Sequence, residues 1–129
     1  MSYYISTTVN GISFEKAIVK VTEHLKTEGF GVLTTIDFKA TMKKKLDVDF
    51  YNYTILGACN PKFAHKAVLA ENKIGTMLPC NVIVQEREEG KIEVSAVDPM
   101  ASMQAVKNND LGDVAIEVRS KLEKVIKSL

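Results

Sequence analysis

The hydrophobic residues of the 129-residue chain follow two different spacings. Two segments repeat apolar residues every three or four positions, which predicts amphipathic helices that each bury one stripe. The first begins after Ser13, a typical N-cap residue, and ends before Gly29, a typical C-terminal stop. The second begins near Asp110 and continues to the C-terminus. Both stripes are one-sided, so each helix should cover one face of a sheet.

Short runs rich in β-branched and aromatic residues predict five strands. They cover residues 3–9, 30–37, 51–58, 80–87 and 91–97. Shorter helices are expected over residues 38–46 and after Asn60-Pro61, where Asn60 should cap the helix and Gly75 should end it. Residues 100–109 should be irregular or a short helical turn. The order β-α-β-α-β-α-β-β-α predicts a two-layer α+β domain spanning residues 1–129.

Composition limits the classes of function. Apolar residues make up 46% and charged residues 26%, as in ordinary globular domains, and the net charge is +1. A near-neutral chain has no general attraction to nucleic acids, and no apolar stretch is long enough to cross a bilayer. The first residues lack the pattern of a signal peptide, so we expect a cytoplasmic protein with two reduced cysteines.

Lysines are concentrated in one short segment, with four among residues 39–45. Such a run suits a phosphate group or an acidic partner, but it equally suits the solvated C-terminal end of a helix. Asp47 and Asp49 follow at once and no aromatic residues interleave. We therefore interpret the segment as a solvated helix end and expect no nucleic-acid partner.

Reactive side chains gather between Gly57 and Asn81. Cys59 follows the third predicted strand, Cys80 opens the fourth, and His65 lies in the helix between them. If the two strands are antiparallel, both cysteines lie at one end of the sheet, and the hairpin brings Asp98 to the same end. If they are parallel, a strand of roughly 23 Å separates the cysteines. Strand direction therefore decides whether these residues form a site.

The segments ILGACNPKFAHKAV and IGTMLPCNVIVQE, in this order and spacing, resemble those of the bacterial and archaeal family known as domain of unknown function 302. The resemblance extends over essentially the whole chain. It implies a β-α-β(4)-α domain of the TATA-binding-protein-like class, with long helices on one face of a mainly antiparallel sheet and short helices between strands. It also implies a homodimer. It implies no activity, and the shared fold does not imply DNA binding.

Our leading hypothesis is a small-molecule site formed by Cys59, Asn60, His65, Cys80, Asn81 and Asp98. Its ligand and any cofactor stay unknown at this point. A concave site with a few convergent polar groups is typical of small-ligand binding.

Three alternatives remain for the same segment. Cys59, with His65 as its base, could be the nucleophile of a thiol-dependent enzyme or a redox centre. Cys59, His65 and Cys80 could bind zinc or copper, although no clustered ligand motif supports a metal. The segment could also be purely structural in a homodimer. A stable disulfide between the cysteines is disfavoured in a reducing compartment.

Overall fold

The computed structural model describes residues 2–129, and within them five strands form one antiparallel sheet. The strands are Tyr4–Asn10 (β1), Gly31–Asp37 (β2), Asn52–Cys59 (β3), Cys80–Glu88 (β4) and Lys91–Val97 (β5). Their spatial order is β1-β5-β4-β3-β2, which places β4 in the centre and β1 and β2 at the edges. This arrangement confirms the predicted α+β fold with an antiparallel sheet.

The same residues contain five α-helices and two short 3₁₀ turns. The helices are Phe14–Thr27 (α1), Phe38–Leu46 (α2), Pro61–Ala70 (α3), Pro99–Ser102 (α4) and Gly112–Ser128 (α5), and the turns are Ile74–Met77 and Asn109–Leu111. Local signals explain the limits of α1, since Ser13 Oγ accepts a hydrogen bond from the Lys16 amide and Gly29 adopts a positive φ of 86°. None of the helices within residues 2–129 is both long enough and apolar enough to cross a membrane.

The core lies between the sheet and the two long helices. Because side chains alternate along a strand, each inner strand turns every second residue toward α1 and α5. These inward residues are the most deeply buried of the sheet: Leu56, Ala58, Val82, Val84, Ile92, Val94 and Ala96. From the helices, Val21, Leu25, Leu122, Val125 and Ile126 meet them. We call the opposite face, which carries Tyr53, Asn81, Ile83 and Gln85, the open face.

One predicted boundary is wrong. The helix after Pro61 was expected to continue to Gly75, but α3 ends at Ala70, where Glu71 becomes extended. A side chain from a distant segment explains the early end. Asn108 Nδ2 donates a hydrogen bond of 2.8 Å to the Ala70 carbonyl and another of 3.1 Å to Glu71 Oε1. Since one of the last unpaired carbonyls of α3 is satisfied in this way, the helix does not need glycine to stop it.

Gly57 marks a close approach at the open face. It pairs with Thr34 on β2 and with Asn81 on β4, and Pro79 lies directly over it. A Cβ at this position would collide with Thr34 Oγ1 and would lie only 2.8 Å from Pro79 Cγ. The absence of a side chain therefore lets the segment before β4 close down on β3.

We expect Gly57→Ala to lower the free energy of unfolding by about 1–3 kcal/mol, because Thr34 or the proline ring must shift to make room. Urea unfolding would measure the change. The matched control is Gly31→Ala, another strand glycine, where an added Cβ would meet no heavy atom within 4 Å. Equal effects of the two substitutions would contradict the importance of this contact.

Candidate functional site

The antiparallel pairing of β3 and β4 brings the two cysteines to the same end of the sheet. Ala58 and Cys80 are direct partners across the two strands, and Cys59 is the next residue on β3. The sequence left strand direction open, and the structure resolves it in favour of the antiparallel arrangement. The lysines of residues 39–45 belong to α2, which comes just before β3. They therefore lie at the other end of the sheet.

A cavity of about 260 Å³ opens at this end, between the sheet, α3 and α5. Its lining comes from several elements far apart in sequence: Leu33, Ala58, Cys59, Asn60, Phe63, Ala64, Ala67, Leu78, Pro79, Cys80, Met103, Val114 and Val118. Apart from the two thiols and the Asn60 amide, the lining side chains are apolar. The cavity therefore suits the apolar part of a ligand, with few groups to fix a polar one.

The two cysteines differ in their surroundings, although both are free thiols. Cys80 is only 9% exposed and belongs to the hydrophobic core, whereas Cys59 is half-buried at the junction of β3 and α3. Burial raises the pKa of the Cys80 thiol to about 11, and the neighbouring Cys59 adds to the rise. Cys80 is therefore a protonated, unreactive thiol at neutral pH.

Asn60 occupies the N-cap position of α3, but its side chain does not cap the helix. The sequence assigned it that capping bond, and this assignment is wrong. Instead, Asn60 Nδ2 donates a hydrogen bond of 3.1 Å to the carbonyl of Glu28, just beyond α1. The bond fixes the start of α3 against the end of α1, so Asn60 holds one wall of the cavity in place.

His65 is not brought to the cavity. It is exposed on α3 and is absent from the lining residues. The periodicity of the helix explains this position, since Phe63 and Ala67 are buried and a residue midway between them in sequence points away. The structure therefore supports no cysteine–histidine pair. Among residues 2–129, no group of three or more His, Cys, Asp or Glu side chains lies together in a way that could hold a metal ion.

Asn81 lies on the other side of the sheet from the cavity. Because it follows Cys80 directly on β4, its side chain points to the open face, where it lines a broad groove with Tyr53 and Gln85. The sequence grouped Asn81 with Cys80, but strand alternation separates them.

Asp98 does reach the same end of the sheet, where it follows the last residue of β5. Its side chain has two structural partners. Oδ1 accepts a hydrogen bond of 3.0 Å from the Met100 amide at the start of α4, and Oδ2 accepts one of 3.0 Å from Arg119 Nε on α5. Asp98 does not line the cavity. Its role in the structure is to connect β5, α4 and α5.

The comparisons with known proteins agree with this fold. The family model for the domain of unknown function DUF302 matches residues 5–129. The chain belongs to the DUF302 family. Among solved structures, a DUF302 protein from Bacillus stearothermophilus, described as an uncharacterized conserved protein, superposes with a TM-score of 0.89. The two share 24% sequence identity, and the match covers 98% of each chain, so the likeness shows the fold alone. No curated protein matches the chain.

Much of the cavity of this DUF302 domain comes from residues that the sequence did not single out. Leu33 reaches it from a β-bulge in β2, where the pairing with β3 shifts between Val32 and Thr34. Met103 comes from the segment after α4, and Val114 and Val118 come from α5. The stripe of α5 was visible in the sequence. However, nothing in the spacing of this stripe distinguishes the residues that line the cavity from those that pack in the core.

The unequal burial of the cysteines predicts unequal alkylation. At pH 8 iodoacetamide should label Cys59 before Cys80. A pKa of about 11 lowers the thiolate fraction of Cys80 about 100-fold relative to a thiol of pKa 9.0, so Cys80 should react about 100-fold more slowly than such a thiol. Mass spectrometry of timed samples would measure both rates. In Cys59→Ser the Cys80 rate should rise steeply as pH approaches 11. Fast labelling of Cys80 in the folded protein, equal to its rate in urea, would contradict its burial.

Proposed function

We propose that this DUF302 domain binds a small, mainly apolar molecule with one anionic group in the cavity beside Cys59 and Cys80. The observation that carries the proposal is the cavity itself, which is almost wholly apolar and lies between elements held in place by Asn60 and Asp98. The cavity is open to solvent on one side, where its lining residue Leu33 is 68% exposed. An apolar ligand would remove this apolar lining from water, which is favourable.

The cavity volume limits the size of the ligand. Pockets for drug-sized ligands usually measure roughly 300–1,000 Å³, and this cavity of about 260 Å³ falls just below that range. With about 30 Å³ for each water-sized group, it admits a molecule of roughly nine such groups. A medium-length alkyl chain or one substituted ring satisfies this limit.

Lysines around Phe63 favour an anionic group on the ligand. Lys62, Lys66 and Lys121 place their Nζ atoms 6.0, 5.8 and 6.0 Å from the centre of the Phe63 ring, and that ring lines the cavity. Lys121 has Glu28 as a partner at 3.9 Å. Within residues 2–129, Lys62 and Lys66 form no salt bridge. A carboxylate at the cavity mouth would thus meet unpaired cations.

The two parts of the ligand should contribute unequally. Each buried methylene group contributes about 0.8 kcal/mol, whereas an exposed ion pair contributes about 0–1 kcal/mol and is screened by salt. The length of the apolar chain should therefore set the affinity. The anionic group should set the orientation and the dependence on ionic strength.

Octanoate should bind with a dissociation constant on the order of 0.1 mM, a modest affinity for a ligand of this size. Filling the cavity with Ala64→Leu should weaken binding at least 10-fold, because the added side chain occupies the ligand's space. Isothermal titration calorimetry would measure both values. Ala40→Leu, at an exposed position on α2 outside the cavity, is the matched control and should leave the affinity unchanged.

Comparing octanoate with octan-1-ol tests the anionic preference. At low salt octanoate should bind more tightly, and the double variant Lys62→Gln/Lys66→Gln should remove most of the difference. Lys44→Gln, at an exposed lysine on α2, should not. Equal binding of alcohol and carboxylate at every salt concentration would argue against the anion. Octanoate binding that Ala64→Leu leaves intact would argue against the cavity.

The open face of the sheet supports a second candidate, self-association as a homodimer. Tyr4 and Ile36 are 46% and 47% exposed there, and a groove of about 580 Å³ runs beside Tyr53 and Ile83. At its edge Arg87 Nη2 and Glu93 Oε1 lie 2.7 Å apart. Across a two-fold axis the same two side chains would be complementary in charge to those of a second copy. Sheets readily pack face to face in this manner.

Analytical ultracentrifugation over micromolar to near-millimolar concentrations should show a monomer–dimer equilibrium. Ile83→Lys should raise the dimer dissociation constant at least 10-fold, or about 1.4 kcal/mol. The substitution places a charge on the open face, which the dimer would bury. Ile116→Lys on α5, where the isoleucine is 52% exposed, is the matched control and should have no effect. A wild-type protein that is monomeric throughout would exclude this face as a dimer interface.

A further inference from the structure

The open face of the sheet carries a second concave site, separate from the cavity beside the cysteines. It is a groove of about 580 Å³, within the range of roughly 300–1,000 Å³ that is usual for ligand pockets. Its lining includes three of the four tyrosines of the chain, Tyr3, Tyr4 and Tyr53, and the amides of Asn81 and Gln85. None of residues 2–129 lines both the groove and the cavity.

Tyrosines mark the two ends of the groove. Tyr53 on β3 aligns through Gln85 with Glu93 on β5. Tyr4 on β1 aligns with Val97, which lies four residues further along β5. Three strand spacings of about 4.8 Å and four residue rises of about 3.4 Å put the Cα atoms of Tyr4 and Tyr53 about 20 Å apart. A ligand that contacts both rings must therefore be elongated.

The polar side chains of the groove are free to bind a ligand. Ser95, which is only 9% exposed, donates a hydrogen bond of 3.0 Å from its Oγ to Ser6 Oγ, so one hydroxyl proton of this pair stays unused. Gln85 Nε2 makes only a long contact of 3.5 Å with the Tyr51 hydroxyl. Within residues 2–129 the side chain of Asn81 forms no hydrogen bond. These hydroxyls and amides can both donate and accept, as sugar hydroxyls do.

The two charged side chains that line the groove neutralise each other. Arg87 donates hydrogen bonds of 3.2 Å from Nε and 2.7 Å from Nη2 to the two carboxylate oxygens of Glu93. A charged ligand would therefore meet no unpaired opposite charge among the groove residues. A purely apolar ligand would leave the amides and hydroxyls of the groove without partners, which is unfavourable. A neutral ligand with many hydroxyl groups avoids both costs.

We infer that the groove on the open face binds a neutral saccharide of about two rings. With about 30 Å³ for each water-sized group, it admits a molecule of roughly nineteen such groups, which is close to a disaccharide. The negative faces of the tyrosine rings attract the weakly positive C–H groups of a sugar ring. This inference does not rest on the ligand proposed for the cavity. A second copy on the open face would cover the groove, so the saccharide and self-association would compete.

An NMR titration of the full-length ¹⁵N-labelled protein tests the inference, with cellobiose, maltose, lactose and N,N′-diacetylchitobiose as probes. At least one of them should shift the amide signals of Asn81, Gln85 and Ser95 to saturation, with a dissociation constant on the order of 1 mM. The signals of Ala64 and Ala67, beside the cavity, should stay in place. If none of the four disaccharides shifts a signal of the open face, the inference is wrong. Shifts that follow protein concentration and not sugar concentration would also overturn it, in favour of self-association alone.

Variants at exposed positions locate the binding without disturbing the core. Asn81→Ala and Tyr4→Ala should each weaken binding of the best disaccharide about 10-fold, because they remove a hydrogen-bonding amide and an aromatic ring. Tyr4→Phe keeps the ring and should bind nearly as well as the wild type. Asn10→Ala, at an exposed position of β1 outside the groove, is the matched control for the asparagine.

The cavity variant separates the two proposed sites. Ala64→Leu should leave the affinity for the disaccharide unchanged, because Ala64 does not line the groove. Failure of octanoate to bind would therefore not affect the saccharide site. Disaccharide binding that neither Asn81→Ala nor Tyr4→Ala weakens would exclude the groove as its location.

Discussion

The register between β3 and β4 is the constraint on which the candidate site depends. It sets Ala58 opposite Cys80, and because side chains alternate along a strand, it also turns Cys80 toward the helices and Asn81 away from them. A slip of one residue would exchange these two faces and would bury Asn81 in the core. The close approach at Gly57 fixes this register locally, since Pro79 and Thr34 both pack where a side chain would stand.

The cavity follows from the way this register meets the helices. Three alanines, Ala58, Ala64 and Ala67, lie on its walls, so that β3 and α3 approach without filling the space between them. Elsewhere on the covered face, larger side chains such as Leu56 and Leu122 close the gap completely. The short α3 is held from outside by Asn60 at its start and by Asn108 at its end. These bonds tie both ends of α3 to other elements and so help to set its distance from β3.

The sequence predicts the fold far better than the site, and the reason is physical. Caps, helix stops and alternation act over a few residues, so the limits of α1, α2 and β5 could be read locally. The bonds of Asn60 and Asn108 join segments more than 30 residues apart and leave no local signal. The outward position of His65 is different, because helical periodicity from Phe63 already indicated it. Likewise, alternation already separated Asn81 from Cys80. In both cases the direction of the side chain, and not its closeness in sequence to a cysteine, decides whether it reaches the cavity.

The apolar surroundings at this end of the sheet affect both the Cys80 thiol and the cavity. Loss of solvent keeps Cys80 protonated, with its pKa raised to about 11, and it also makes the cavity favourable for an apolar ligand. A thiol in this state is a poor nucleophile toward anything that diffuses in from water, so a bound ligand would be safe from it. The environment that favours an apolar ligand is therefore also the one that protects this ligand from reaction with Cys80.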